Sequence, residues 1–351
     1  MDIRSMNLEE MEALAISLGE KAFRGKQLFQ WVHEKQADDF DEMTNLSAAF
    51  REKLKENYCI SGVRQVEKQV SKKEDTAKYL FALEDDHVIE SVWMKYRHGN
   101  SVCISSQVGC RMGCTFCAST LTGLTRNLTA GEMLSQIYQI QKDTKERVSN
   151  IIVMGMGEPL DNYKGTRYSK EFLPFIKLVS CEKGIGISQR NITVSTCGLV
   201  DKIRMLADEK LQITLAISLH APNDEIRRQT MPIANRYTIG EIIQACKYYF
   251  DKTGRRITFE YSMIRGVNDK EEHAKELAGR LSGLNCHINL IPLNEVKERN
   301  CYRSTKEDIE KFKTILEKYR KTVTIRREMG SDIDAACGQL RKKFLTKNGR
   351  N

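Results

Sequence analysis

Three cysteines, Cys110, Cys114 and Cys117, stand within the stretch Q-V-G-C-R-M-G-C-T-F-C at residues 107–117. Their C-x3-C-x2-C spacing brings three thiols onto one small object. Iron–sulfur clusters of the 4Fe-4S type are normally held by four cysteine thiolates. A local set that stops at three leaves one iron of such a cluster open to another ligand. Two blander readings compete. Cys114 and Cys117 alone could form half a zinc site or a thioredoxin-like pair. A closed zinc site needs four nitrogen or sulfur ligands, usually as two close pairs. The chain has no second pair at that spacing.

The elements that must position this loop follow from periodicity. From Ser101 onward strand patterns at 101–105, 150–154, 191–195, 213–218, 257–262, 287–291 and 322–326 alternate with helical patterns at 129–146, 199–209, 238–251, 269–282 and 304–320. Thr129 with Glu132, and Ser304 with Glu307, have capping-box spacing. Repeated β–α units of this length predict an α/β fold with a parallel sheet, curled or doubly wound. In parallel barrels chemistry collects at the C-terminal ends of the strands. The cysteines follow the first strand and Gly155-Met156-Gly157-Glu158 the second. Ser195 ends the third, Ser218-Leu219-His220 the fourth, and Asn294 lies past the sixth. Five separate loops thus point to one rim. The glycines of the second loop leave room for a ligand, and Glu158 can accept hydrogen bonds from an ammonium group. Each residue alone has an ordinary reading: such glycines usually make turns, and a lone histidine like His220 is more often structural than a ligand.

Ahead of this core, residues 7–57 carry helical patterns. Leu8, Met11, Leu14, Ala15 and Leu18 share one face. Residues 23–36 place Phe23, Leu28, Trp31 and Val32 on an apolar side among Arg24, Lys26 and Lys35, and Ser47 is an N-cap for a third helix. Such a unit either binds nucleic acid or only packs on the main domain. Residues 61–98 read as a β-meander. Glu90 lies within it, and a carboxylate in mid-strand ordinarily faces water. The division expected is 1–60 as a helical accessory RNA-binding unit, 61–100 as a β extension, 101–340 as the core and 341–351 as a basic tail.

The 351 residues are 40% hydrophobic and 29% charged. No apolar run approaches the roughly 18 residues of a membrane span, and the amphipathic start lacks a signal-peptide cleavage site. Eleven cysteines, most of them scattered, suit a reducing compartment, so a cytoplasmic protein with no membrane partner is expected. The net charge is +9, and the tail from Arg341 to Asn351 supplies five of those charges. That surplus is compatible with a phosphate-bearing partner.

The C-terminal phrase G-S-D-I-D-A-A-C-G-Q-L, residues 330–340, holds Cys337 with Asp332 and Asp334 nearby. A lone cysteine there is ordinarily a small buried hydrophobe. The phrase as a whole, however, resembles the methyl-carrying loop of the RlmN/Cfr family of radical S-adenosylmethionine (SAM) enzymes. FRGKQLFQWVHEK, FDEMTNL, CISSQVGCRMGCTFC, GMGEPL, LAISLHAPNDEIR and HINLIPLN carry the same resemblance across about nine tenths of the chain.

The resemblance implies a radical SAM partial (β/α)6 TIM-like barrel with a small N-terminal helical domain and a β extension. It implies one 4Fe-4S cluster on Cys110, Cys114 and Cys117 and two SAM molecules per turnover. SAM contacts fall on Gly157 and Glu158 for the amino group, on Ser195, Ser218, Leu219 and His220 for ribose and carboxylate, and on Asn294 for adenine. Cys337 becomes the methyl carrier, Glu90 the proton acceptor, and Cys103 the thiol that frees Cys337 through a disulfide. The substrates implied are adenosines of 23S ribosomal RNA and of tRNA anticodon loops, methylated at carbon 2. An electron donor such as flavodoxin or ferredoxin and a monomeric state go with them. Pro159 favours this activity over the Cfr type, which methylates carbon 8 and confers antibiotic resistance. A non-catalytic RNA-binding protein with a structural cluster is the alternative of another class; it would call for a fourth protein ligand. Two stretches depart from the family pattern: 163–189 looks longer, which reads as an insertion, and the loop after Asn294 lacks the usual prolines. Cys59, Cys181, Cys197, Cys246, Cys286 and Cys301 read as structural.

Overall fold

The computed structural model describes residues 1–97, 99–163, 171–296, 299–330, 332–333, 338–347 and 349. Three helices come first: α1 Leu8–Ser17, α2 Ala22–Phe29 and α3 Ala48–Asn57. An antiparallel meander follows, β1 Arg64–Val70, β2 Thr76–Ala82 and β3 Val88–Tyr96. The core begins with β4 Gly99–Cys103, the short hairpin β5 Gln107–Gly109 and β6 Leu124–Asn127, then α4 Ala130–Thr144 and β7 Val148–Val153. It continues through α5 Phe172–Val179, β8 Ile192–Thr196, α6 Val200–Asp208, β9 Thr214–Ser218, α7 Asp224–Thr230 and α8 Ile239–Thr253. The last elements are β10 Ile257–Met263, α9 Glu271–Arg280, β11 Cys286–Pro292, α10 Lys306–Lys318, β12 Thr322–Ile325 and α11 Gln339–Lys347.

A single sheet orders β1-β2-β3-β4-β7-β8-β9-β10-β11-β12. From β4 to β12 every pairing is parallel, while β1 to β4 pair antiparallel. Six β/α units, from β4–α4 to β11–α10, make the partial barrel expected from the sequence. Helical crossovers force the parallel order, because parallel neighbours cannot be joined by a tight turn. The meander is not a separate layer; β3 continues the barrel sheet through β4. Residues from β3 and from the stretch after β12 line one cavity, so the sheet curls back on itself.

Local signals explain the boundaries. Thr129 and Glu132 form the capping box that starts α4, and Thr238 and Glu241 do the same for α8. Ser304 does not cap α10. Its hydroxyl donates to Asp269 at 2.7 Å, and Thr305 takes the N-cap, accepting from the Asp308 amide. The stretch 163–189, read as an insertion, supplies α5, whose Phe172, Phe175, Ile176 and Val179 are fully buried; residues 164–170 lie outside the described residues. The stretch read as a basic tail begins inside α11, where Leu340 and Arg341 are buried.

The N-terminal helices bury Leu28, Phe29 and Val32, whereas Phe23, expected on the same side, is 46% exposed. The close approach of α1 to α2 decides this: a Cβ on Gly25 would lie 2.4 Å from the Glu12 backbone. The basic residues noted there are already engaged. Arg24 bonds the Asn45 carbonyl, Lys26 lies 3.7 Å from Glu12, and the Lys35 ammonium sits 3.6 Å above the Trp31 ring. Arg4 ties this unit to the barrel. It is fully buried and donates to the Ser61 and Ala37 carbonyls at 2.6 and 2.5 Å and to Ser135 of α4 at 2.9 Å. Arg4→Met is therefore expected to destabilise the fold by about 3 kcal/mol, mainly by stranding those buried carbonyls. Its half-exposed partner Asp38 contributes little. Urea denaturation midpoints of the two proteins check this.

Candidate active site

The cysteine loop hangs between the strands of the β5–β6 hairpin. Gly109 has φ +80, and a Cβ there would sit 1.9 Å from the Gly123 carbonyl, so the hairpin closes only over glycine. Within the loop the Cys110 amide donates to Gly123, the Thr115 amide to Thr230, and the Thr120 hydroxyl to the carbonyls of Cys114 and Cys117. All three cysteines face one cavity of about 260 Å³. Burial pushes the Cys110 thiol up to about 12 and raises Cys114 further, and each thiolate would repel the others. Thiols raised in this way ionise only beside a strong positive charge, as in metal coordination, where a thiol is deprotonated outright. Among the described residues no three His, Cys, Asp or Glu side chains are arranged to hold a single metal ion. Three thiols on the wall of one cavity fit a multi-iron group.

Glu158 stands opposite, at the start of a turn over Pro159–Asn162. It is 4% exposed, and its carboxylate accepts from the Cys197 amide at 2.7 Å and the Leu160 amide at 3.1 Å. Burial raises its proton affinity and the amides oppose that rise. An ammonium group entering the cavity would favour the ionised form. The neighbouring glycines serve packing as well as access. A Cβ on Gly155 would meet the Ile104 carbonyl at 2.5 Å, and one on Gly157, at φ +105, would meet Gln107 at 2.6 Å.

Ser195, next to last in β8, and Ser218, last in the adjacent β9, hold their hydroxyls 3.2 Å apart on the cavity wall. His220 follows in the left-handed region at φ +55, and its Nδ1 accepts from the Ser262 amide at 2.9 Å. Burial and the nearby Arg227 push the imidazole down to about 3, so it is neutral with its proton on Nε2. Its ring meets the Phe116 ring edge-on at 5.0 Å. Leu219 does not join the wall: it is fully buried, and its amide donates to the Glu260 carbonyl. Asn294 also lines the cavity.

Cys103 lies at the end of β4 in a second cavity of about 340 Å³. Met154, Ile291, Asn294 and Arg326 line both spaces, so the two adjoin. Glu90 does not face water. It is 3% exposed, 3.0 Å from the Lys78 ammonium, and accepts from the amides of Gly338 and Arg341 at 2.5 and 2.6 Å. Cys337 and Asp334 lie outside the described residues; Asp332 accepts from the Ser71 hydroxyl and the Lys72 amide. In the loop after β11, Arg299 donates to the Thr120 hydroxyl at 3.1 Å.

Several wall residues escaped the sequence reading. Cys197, read as structural, lines the cavity beside Glu158. Glu260 and Ser262 alternate along β10 and also face it, and the Asn289 side-chain Nδ2 donates to the Glu260 carboxylate at 2.8 Å. That alternation was the available signal, but a carboxylate in a buried parallel strand gives no hint of which cavity it meets. Arg326 lies just past β12 and depends on the sheet's closure to reach the same wall.

The parallel partial barrel and its cysteine-lined cavity are those of the radical SAM class, and residues 104–278 match the radical SAM superfamily. Residues 1–60 match a family described as the ribosomal RNA large subunit methyltransferase N-terminal domain. The chain is 60% identical over 344 residues to a probable dual-specificity RNA methyltransferase RlmN of Lachnospira eligens, covering 98% of this chain and 97% of that one. Its counterpart in Lachnoclostridium phytofermentans is 58% identical over 347 residues, covering 99% and 96%. The crystal structure of a radical SAM methyltransferase from Sphaerobacter thermophilus superimposes with a TM-score of 0.90 at 42% identity, covering 97% of this chain and 98% of that one. The chain belongs to the RlmN family of radical SAM RNA methyltransferases. A 4Fe-4S cluster and SAM go with that membership. Among the described residues no helix is long and apolar enough to cross a membrane.

Proposed function

We propose that this enzyme methylates carbon 2 of an adenosine in 23S ribosomal RNA and of an anticodon-loop adenosine in tRNAs. The observation that carries the reading is the adjacency of two cavities. One holds Cys110, Cys114, Cys117, Glu158, Ser195, Ser218, His220 and Asn294; the other holds Cys103. A cofactor bound in the first would lie beside a base bound in the second.

Carbon 2 of adenine is an electron-poor amidine carbon without a usable lone pair, so direct displacement on the SAM methyl group fails there. The chain's residues divide the task. Cys110, Cys114 and Cys117 would hold the cluster, which when bound supplies the electron that cleaves SAM to a 5′-deoxyadenosyl radical. Glu158 would hold the SAM ammonium, the two serines and the neutral His220 its ribose and carboxylate, and Asn294 its adenine. Cys337 takes a methyl group from a first SAM, and the S-methyl group is the carbon delivered to the base after a second SAM is spent. Glu90 accepts the proton that leaves carbon 2. Cys103 would then free Cys337: the bond from the Cys337 sulfur to the delivered carbon breaks, that carbon takes up the Cys103 proton to become methyl, the two sulfurs join as a disulfide, and a cellular thiol reductant returns them to thiols.

Reaching the carbon requires unstacking the base, at a cost of a few kcal/mol that is lowest in loops. Phosphate contacts offset this cost and make binding salt-dependent. The enzyme works as a monomer with a flavodoxin- or ferredoxin-type donor. With RNA, SAM and reductant, the product is expected to be 2-methyladenosine, as the Gly157-Glu158-Pro159 sequence indicates. Mass spectrometry of the digested nucleosides checks this, and a majority of 8-methyladenosine would reassign the chain to Cfr-type chemistry.

A further inference from the structure

Lys78 has no place in the reaction as described, yet its side chain is fully buried. A lysine in such a position is costly unless its charge is paired. In the β2–β3 register Lys78 faces Val92 and Leu80 faces Glu90, which makes Lys78 and Glu90 diagonal neighbours on one face of the sheet. Their charged groups meet at 3.0 Å.

What the carboxylate does next gives the pair its meaning. Oε2 also accepts from the Gly338 amide, and Oε1 from the Arg341 amide. Glu90 thus caps the first turn of α11, whose leading amides have no partner within the helix. The same turn is pinned twice more. Arg341 donates to the Val88 carbonyl at 3.0 Å and to Thr122 at 2.7 Å, and Leu340 packs with Leu80, Ala82 and Val88. Gly338 has φ +83 and lies so close to the turn after Cys117 that a Cβ would meet the Ser119 nitrogen at 2.7 Å. The other flank of the segment is held by the β1–β2 turn, through Asp332 on Ser71 and Lys72 and through the Gly330 amide on Glu74. A carboxylate offers about four lone-pair sites. Three donors leave one for the proton that Glu90 takes in the reaction.

We propose that Lys78 is a positioning residue: its ammonium fixes Glu90 as the cap of α11, and so holds Gly338, the neighbour of Cys337, against the cysteine loop. This rests on the reading of Cys337 as methyl carrier. The meander is then a platform to which the carrier segment is latched, and Glu90 serves two steps, presentation of the carrier and acceptance of the proton.

Lys78→Met in the full-length, cluster-reconstituted enzyme tests it. Amide exchange over residues 338–345 is expected to quicken by about tenfold or more, with β8 and β9 unchanged. The rate at which SAM alone adds one methyl to Cys337, read by protein mass, is expected to fall about tenfold, with iron content and SAM affinity unchanged. Normal exchange together with normal Cys337 methylation overturns the latch. So does an equal loss of iron and SAM affinity, which marks a general structural role. Should Lys78→Met fail to fold, the unsubstituted protein still decides. Its Gly338 and Arg341 amides should exchange about tenfold more slowly than that of Lys347 at the far end of α11, and equal rates overturn the latch. If the unsubstituted enzyme never gains a methyl on Cys337, the carrier reading fails while the exchange result stands separately.

Discussion

Cys337→Ala is expected to form no methylated RNA and no covalent RNA–protein species, a loss on the order of a thousandfold or more in rate. Without the thiol there is no S-methyl group from which to deliver carbon. Cys103→Ala should fail later. On the proposed mechanism its thiol is needed only once the new carbon–carbon bond ties RNA to Cys337, because exchange requires a second sulfur within reach of the first. This variant should therefore accumulate protein crosslinked to RNA, seen on a denaturing gel as a slow band that ribonuclease removes. The crosslink must vanish in the Cys103→Ala/Cys337→Ala double variant. Normal turnover by Cys103→Ala would sink the two-cysteine scheme. Cys103 lines the cavity next to the cofactor site and is buried at the end of β4, which suits a late, shielded step.

Alanine at Cys110, Cys114 or Cys117 should have an equally complete effect by another route. With one thiolate gone from a set of three, bound iron should drop from about four per chain to less than one, with loss of the brown absorbance. Formation of 5′-deoxyadenosine should cease in all three variants. The fold should survive, because the loop hangs from the hairpin through bonds to cysteine backbone groups that alanine keeps: the Cys110 amide to Gly123, and the Thr120 hydroxyl to the carbonyls of Cys114 and Cys117. Circular dichroism separates loss of cluster from loss of fold. Any one variant that kept full SAM cleavage would remove that cysteine from the ligand set.

Much of this enzyme is written locally. Three cysteines within eight residues, the capping box at Thr129, and alternating strand and helix patterns all depend on neighbours a few positions apart. Such signals give the alternation of strands and helices, and the parallel-sheet rule then brings five loops to one rim. Neither the fate of Glu90 nor that of Lys78 is legible in this way. Whether a strand carboxylate meets water or a buried ammonium depends on β2 lying beside β3 and on α11 arriving from 248 residues further along. For the same reason Ser304 lost its cap to a distant Asp269, and Cys197 was missed as a wall residue. The basic C-terminal stretch reads as a solvated tail because its charges are visible, whereas the Leu80, Val88 and Leu340 contacts that fold its start are not. Periodicity reports which side of an element is apolar. Only the closed sheet decides what that side meets, because burial and charge pairing are properties of residues brought together from remote parts of the chain.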